Sequence, residues 1–297
     1  MTLDFKENEL LKNHSTFRIG GLAKYFVVVK NVDEIKEAIG FAKDKNLPYF
    51  IFGGGSNILY RDEGYNGVAI KIRSTKFEIR NNKIIAESGI LLSQIVNLAT
   101  ENGLSGLEWG IGIPGTIGGC VAGNCGAFGQ SISESVVKVK TLDKEYTRKQ
   151  CEFKYRDSRF KSRFNLGDET KVKPLSKVKP LSEVILEVEL ELKLGDKEKI
   201  KETIKNNLAQ RKDRIPPYPS IGCIFKNQKP LSAGKLIEDC GLKGQRVGDA
   251  QVSQMQANFI VNLGNATAKD VLKLMEICRQ KVKEKFGVDL ENEIVII

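Results

Sequence analysis

The apolar positions of this chain fall into two rhythms, a two-residue alternation and a three-to-four-residue stripe, which divide it into short strands and a few amphipathic helices. Residues 23–30 (AKYFVVVK), 48–52 (PYFIF), 68–72 (VAIKI) and 83–87 (KIIAE) are β-branched or aromatic runs bounded by turn residues, the pattern of strands. Between the first two, Val32, Ile35, Ile39 and Ala42 line one face of a helix that Asn31 can cap, with Glu34 three residues further on. A second helix is predicted from Leu92 to Asn102, stopped by Gly103. Strands follow at 135–142 and 184–192. In the latter, Leu186, Val188, Leu190 and Leu192 alternate with Glu187, Glu189 and Glu191, as in a half-buried antiparallel strand. A charged helix over 197–214 carries Ile200, Ile204 and Leu208 in register and ends before Pro216 and Pro217, so a domain boundary is expected near residue 195. Beyond it come a short helix capped by Ser232 and closed by Gly241, a strand at 258–262, and a long helix from Thr267 to Gly287. The last is striped by Val271, Leu274, Met275, Cys278 and Val282.

The stretch 103–129 breaks both rhythms. It holds ten glycines and almost no helical period, and a long glycine-rich loop in a compact protein brings bare backbone close to a ligand. Its GIGIPG (110–115) matches the dinucleotide fingerprint in spacing, but Pro114 and the glycines that follow, without a parallel βαβ pattern around them, argue against that reading. A second loop, GGGSN at 53–57, follows an apolar strand directly, where free amides can close on a diphosphate and Ser56 can donate to an oxygen. The hexapeptide KVKPLS occurs twice within 171–182 and suits an exposed loop.

Composition narrows the chemistry. The only histidine is His14, which removes mechanisms that need an imidazole beside a nucleophile. Six scattered cysteines without an export signal are expected to be mostly free thiols, and Cys120 and Cys125 lack the partners of a zinc site. A balance of 47 Lys plus Arg against 37 Asp plus Glu gives +10, but acids are interspersed throughout and aromatics make up only 7%, so nucleic-acid binding is not expected. With no long apolar run, a cytoplasmic protein that does not enter membranes is expected.

In collinear order, GGGSN (53–57), IGIPGTIGG (111–119), NCGAFG (124–129), YRDSRF (155–160), GCIFKN (222–227) and LENE (290–293) resemble the UDP-N-acetylenolpyruvoylglucosamine reductases, the MurB family of peptidoglycan synthesis. The resemblance implies an α+β fold: a two-lobed, vanillyl-alcohol-oxidase-like (PCMH-type) FAD-binding domain over 1–195, with lobes of about 1–70 and 71–195, then a C-terminal α/β substrate-binding domain over 196–297. It further implies FAD as cofactor, NADPH as reductant, UDP-N-acetylglucosamine enolpyruvate as substrate and a monomeric enzyme. By motif position, Gly53, Gly54, Gly55, Ser56, Asn57, Gly112, Ile113, Pro114, Gly115, Thr116, Gly118, Gly119, Asn124, Gly126 and Ala127 fall at the flavin. Arg156 and Glu293 match the residues that stabilise an enediolate. Cys223 stands where most of the family has a proton-donating serine. Taken alone, a cysteine beside Ile224 and Phe225 reads as packing; the motif makes it an acid, expected to be sensitive to alkylation, since a free thiol has a pKa of roughly 8.5. Lys226 and Asn227 match positions that hold the nucleotide sugar; Arg211 and Arg214, near the approach to this motif, are weaker candidates for the diphosphate, and Gln256, just before the 258–262 strand, is a further candidate for the substrate. Two other readings remain: a different flavoenzyme of the same fold, which would keep the glycine loops without the trio Arg156, Cys223 and Glu293, and a basic protein that binds nucleic acid and no flavin.

Overall fold

A computed structural model describes residues 3–161, 184–228 and 230–297; the KVKPLS duplication lies outside the described residues. The chain opens with strands β1 (Lys6–Leu10) and β2 (Leu22–Val29), helix α1 (Val32–Asp44), and strands β3 (Tyr49–Phe52), β4 (Ile58–Leu59) and β5 (Tyr65–Ile72). Four of them form a sheet in the order β1-β2-β5-β3, parallel except for the antiparallel edge strand β1. Asn31 caps α1 as its sequence predicts, accepting from the Glu34 amide at 2.9 Å. The α1 stripe of Ile35, Ala38, Ile39 and Ala42 packs on Val27, Val29, Val68 and Ile70.

The second sheet is antiparallel. After β6 (Phe77–Arg80) and β7 (Lys83–Glu87) come helix α2 (Leu92–Glu101), the short β8 (Leu104–Ser105), helix α3 (Ile117–Gly123), the hairpin β9 (Gly126–Ala127) and β10 (Gln130–Ser131), and strands β11 (Val136–Thr141), β12 (Glu145–Thr147), β13 (Ile185–Glu191) and β14 (Lys193–Leu194). The order is β12-β11-β13-β7-β6. In β13 the alternation acts as expected, with Val188 and Leu190 buried against Ile84, Ile95, Trp109 and Val139. Helix α3 is an element the glycine-rich sequence did not announce.

The last part contains helix α4 (Lys197–Lys212), helix α5 (Ala233–Asp239), strands β15 (Arg246–Val247), β16 (Ala250–Val252) and β17 (Ile260–Asn262), helix α6 (Ala268–Phe286) and strand β18 (Val295–Ile296). Thr267 caps α6, and Gly287 ends it at φ 70°. The α6 stripe Val271, Leu274, Met275, Cys278 and Val282 is buried in a core that also takes Phe17, Ile19 and Leu59 from the beginning of the chain. The chain end returns to the first third, where β18 pairs in parallel with β4. Further ties are Thr16 Oγ1, which donates to the Ser220 carbonyl at 2.7 Å, and Asn262 Nδ2, which donates to that of Phe17 at 3.1 Å. Among the described residues, no helix is long and apolar enough to cross a membrane.

Candidate active site

Two glycine loops face each other at one edge of this arrangement. The GGGSN loop links β3 to β4, and the IPGT loop leads into α3. They touch almost without side chains: a Cβ on Gly54 would lie 3.1 Å from Gly115 Cα, one on Gly53 would enter the Thr116 side chain, and Ser56 Oγ donates to the Pro114 carbonyl at 3.0 Å. The amides of Gly54, Gly55 and Ser56 donate to no carbonyl among the described residues, and the buried Ser88 hydroxyl beside Gly118 has no partner there either. Bare amides and an unanswered hydroxyl around a close backbone approach suit the diphosphate of a dinucleotide, so the residues present fit FAD. Gly55 sits at φ 64°, and a Cβ there would collide with the His14 carbonyl. Gly55→Ala is therefore expected to cost about 1–3 kcal/mol and to yield protein without bound flavin, read by denaturant melts and visible absorption.

Not every glycine-loop residue faces the cradle. Thr116 caps α3, accepting from the Gly119 amide at 3.3 Å, and Gly118 lets α3 pack on Ser88, whose carbonyl accepts from the Gly118 amide at 2.9 Å. Asn124, at φ 44°, ends α3; its Nδ2 donates to the Lys154 carbonyl at 2.8 Å and its Oδ1 accepts from the Ser133 amide, so its side chain holds the neighbouring loop. Gly126 and Ala127 form β9, whose turn is Phe128-Gly129 with both φ angles positive. Gly112 (φ 72°) and Ile113 lie before Pro114, and a Cβ on Gly112 would meet Arg211 Cδ at 3.3 Å. Cys120 and Cys125, expected as free thiols, are instead joined in a disulfide: the left-handed Asn124 folds the chain back so that the two Cα atoms lie 4.9 Å apart.

Arg156, Cys223 and Glu293 come from three distant stretches and meet. A tight turn, in which Lys154 and Asp157 exchange main-chain hydrogen bonds, places Arg156 at its tip with φ 54°. The 223–226 segment runs between two others, bonded to Asn258 and Phe259 on one side and to residues 291–293 on the other. The Glu293 amide donates to the Ile224 carbonyl at 2.8 Å. Ile224 and Phe225 are buried in the C-terminal core. Arg156 Nε lies 3.0 Å from Glu293 Oε1. Burial raises the Glu293 carboxyl above its ordinary range, against the opposing charges of Arg156, Lys161 and Lys226. The Cys223 thiol is pushed up to about 12, by burial first and by the Glu293 charge second, against Arg156 and a hydrogen bond with Asn258. A thiol raised in this way carries less thiolate than a free one, so the alkylation expected from the motif should be slow near neutral pH.

Around the trio, Lys226 Nζ pairs with Glu291 at 2.6 Å, and Asn227 Oδ1 accepts from the Ala233 amide at 3.0 Å, at the start of α5. Gln256 packs its amide oxygen against Gly234. Arg214 stands exposed beyond the end of α4. Arg211, one turn earlier, is the arginine that enters the site. Its Nη2 donates to the Trp109 carbonyl at 3.1 Å, its Cζ lies 5.3 Å from the Phe128 ring centre, and burial and then the Arg156 charge hold its pKa below the usual arginine value. Sequence reasoning did not single out Asn258, whose side chain brackets the Phe225 main chain at 2.8 and 2.9 Å, or Lys161. Lys161 Nζ donates to the carbonyls of Arg156 (2.9 Å) and Glu293 (3.3 Å). The one signal for Asn258 was an amide opening an apolar strand, and Lys161 is one of many lysines.

Comparison with known proteins places the chain in a family. Residues 23–149 match the family described as FAD binding domain, and residues 214–297 match UDP-N-acetylenolpyruvoylglucosamine reductase, C-terminal domain. The UDP-N-acetylenolpyruvoylglucosamine reductase of Clostridium tetani is 40% identical over 299 residues, covering 98% of this chain and 92% of that protein. That of Alkaliphilus oremlandii is 39% identical over 298 residues, with coverage of 98% and 92%. The crystal structure of the enzyme from Thermus caldophilus superposes with a TM-score of 0.80 at 33% identity, covering 99% of both chains. An α+β chain whose FAD-binding domain and C-terminal domain both match, and whose relatives align along nearly their whole length, belongs to the UDP-N-acetylenolpyruvoylglucosamine reductase family.

Proposed function

We propose that this FAD-dependent oxidoreductase uses NADPH to reduce UDP-N-acetylglucosamine enolpyruvate to UDP-N-acetylmuramate, as a monomer in the cytoplasm where both nucleotides are found. The observation that carries the reading is the approach of the Arg156 guanidinium to the Glu293 carboxyl at 3.0 Å, with the Cys223 thiol in the field of both. When bound, FAD would supply to the vinyl carbon the hydride it takes from NADPH. The residues of the GGGSN and IPGT loops would hold the cofactor through their amides.

The chain's own work begins with the negative charge left on the adjacent carbon and spread into the substrate carboxylate. Arg156 meets that charge with a fixed cation, and Glu293, whose carboxyl burial raises above its ordinary range, acts in its protonated form and donates without adding a charge of its own. Cys223 gives its proton to the carbon, and the resulting thiolate recovers one from solvent, which closes the balance of one hydride and one proton per double bond. Arg211 and Lys226 add positive charge for the diphosphate, and Asn227 and Gln256 bind the nucleotide sugar. Purified protein should show a flavin spectrum, and anaerobic NADPH should bleach it. The enolpyruvyl nucleotide should then restore the oxidised spectrum, one equivalent per flavin. Reoxidation by oxygen alone, without turnover of that nucleotide, would overturn the proposal in favour of an oxidase.

A further inference from the structure

We infer that Lys161 is a positioning residue for this reaction: its ammonium group ties the main chain of Arg156 to that of Glu293 and so sets how the two side chains face the substrate. The inference rests on the roles proposed above for Arg156 and Glu293. Lys161 is only 6% exposed, and lysines are almost never buried to that extent unless paired. Among the described residues it forms no ion pair within 4.0 Å. Its donors go instead to two main-chain carbonyls, that of Arg156 five residues back and that of Glu293, 132 positions away.

Each carbonyl is one whose direction matters. Arg156 holds a left-handed conformation, which an arginine keeps only where its surroundings over-determine it; the bond from Lys161 is one of those constraints. The Glu293 carbonyl also accepts from Asn57 Nδ2 at 3.3 Å, so a single oxygen joins the GGGSN loop, the YRDSRF turn and the LENE segment. Burial, then the Lys226 charge, pushes the ammonium's pKa below the usual lysine range, against Glu293, Asp157 and Glu291. A buried cation without a contact ion pair is costly to keep, which sets Lys161 apart from a lysine that merely covers the surface.

Lys161→Met in the full-length holoenzyme is the test, with Lys161→Arg and Glu293→Gln beside it. Flavin content and the rate of flavin reduction by NADPH should stay within about 3-fold of the parent, whereas the step in which the enolpyruvyl nucleotide reoxidises the reduced flavin should slow by about 30-fold or more. The pH profile of that step should move as well. The charged and titratable groups facing Glu293 are Arg156, Lys161, Lys226 and the Cys223 thiol. Removing one cation raises the Glu293 pKa further, so the decline of the rate at high pH should shift to higher pH. Lys161→Arg, which keeps charge and donors, should recover most of the rate and the parental pH profile.

If Glu293→Gln slows the step while Lys161→Met changes neither rate nor pH profile, the inference falls and the roles of Arg156 and Glu293 stand. If Glu293→Gln also changes nothing, that reading falls and takes the inference with it. Should Lys161→Met fail to hold flavin, Lys161→Gln, which can still donate to a carbonyl but carries no charge, replaces it; loss of flavin in both variants would overturn the inference in favour of a purely structural lysine.

Discussion

Cys223→Ala is expected to slow turnover of the enolpyruvyl nucleotide by about 10²–10⁴-fold, the range associated with a positioned general acid, while the flavin still binds and is still reduced by NADPH. Burial is the first cause that pushes the thiol up to about 12, so the group should carry its proton when the intermediate forms. Cys223→Ser keeps an O–H donor of similar size on the same short bridge to Phe259 and should retain much of the rate. Oxidation of the sulfur to the sulfinic acid should abolish turnover, since it replaces the donor with an anion beside Glu293. Stopped-flow reoxidation of the reduced flavin, with and without the nucleotide, separates this step from reduction. Full activity in the alanine variant would remove Cys223 from the mechanism. Alkylation gives an independent check: modification should be slow near pH 7 and should accelerate as the pH rises toward the thiol pKa.

Arg156→Met should lower kcat by about 10²–10³-fold, or roughly 2.7–4 kcal/mol, the loss typical of removing one fixed group aimed at developing charge. Binding of the nucleotide should suffer less than kcat, because the charge that Arg156 meets grows only as hydride arrives. The sign of the pH effect follows from Glu293. Its carboxyl is raised by burial and held down chiefly by Arg156, and the reaction needs it protonated, so the parental rate should fall as pH rises through that raised value. Glu293→Gln, which donates but cannot ionise, should lower the rate and flatten that decline. Because Arg156 and Glu293 are in contact, the two substitutions together should cost less than the sum of their separate effects. Additive losses would mean that the two side chains act at different places.

Most of the secondary structure was legible because it rests on interactions that span a few residues. Asn31, Ser232 and Thr267 each cap the helix that their position announces, and Gly287 ends α6 because it can adopt the left-handed conformation. The alternation of β13 reports burial on one face. Strand β1 was missed because an edge strand exposes most of its residues and KENEL has no apolar face. Helix α3 is hidden in the sequence because IGGCVAG is short and nearly half glycine, with a stripe of only Ile117, Cys120 and Val121; packing of Gly118 on Ser88 helps to hold it.

The motifs named the trio of Arg156, Cys223 and Glu293, yet nothing local told Arg211 from Arg214, paired Cys120 with Cys125, or marked Lys161. By itself the sequence determined where the chain turns, where helices begin and end, which loops leave their backbone bare and which residue types are available for chemistry, since those depend on neighbours within a turn or a strand. Only the tertiary structure decided which of those residues meet. The bonds that join the site, from the Asn57 side chain to Glu293 across 236 positions and from the Lys161 side chain to Glu293 across 132, both end on a main-chain carbonyl, a group that every residue carries, and only the packing of the sheets and the return of β18 to β4 brings them within reach.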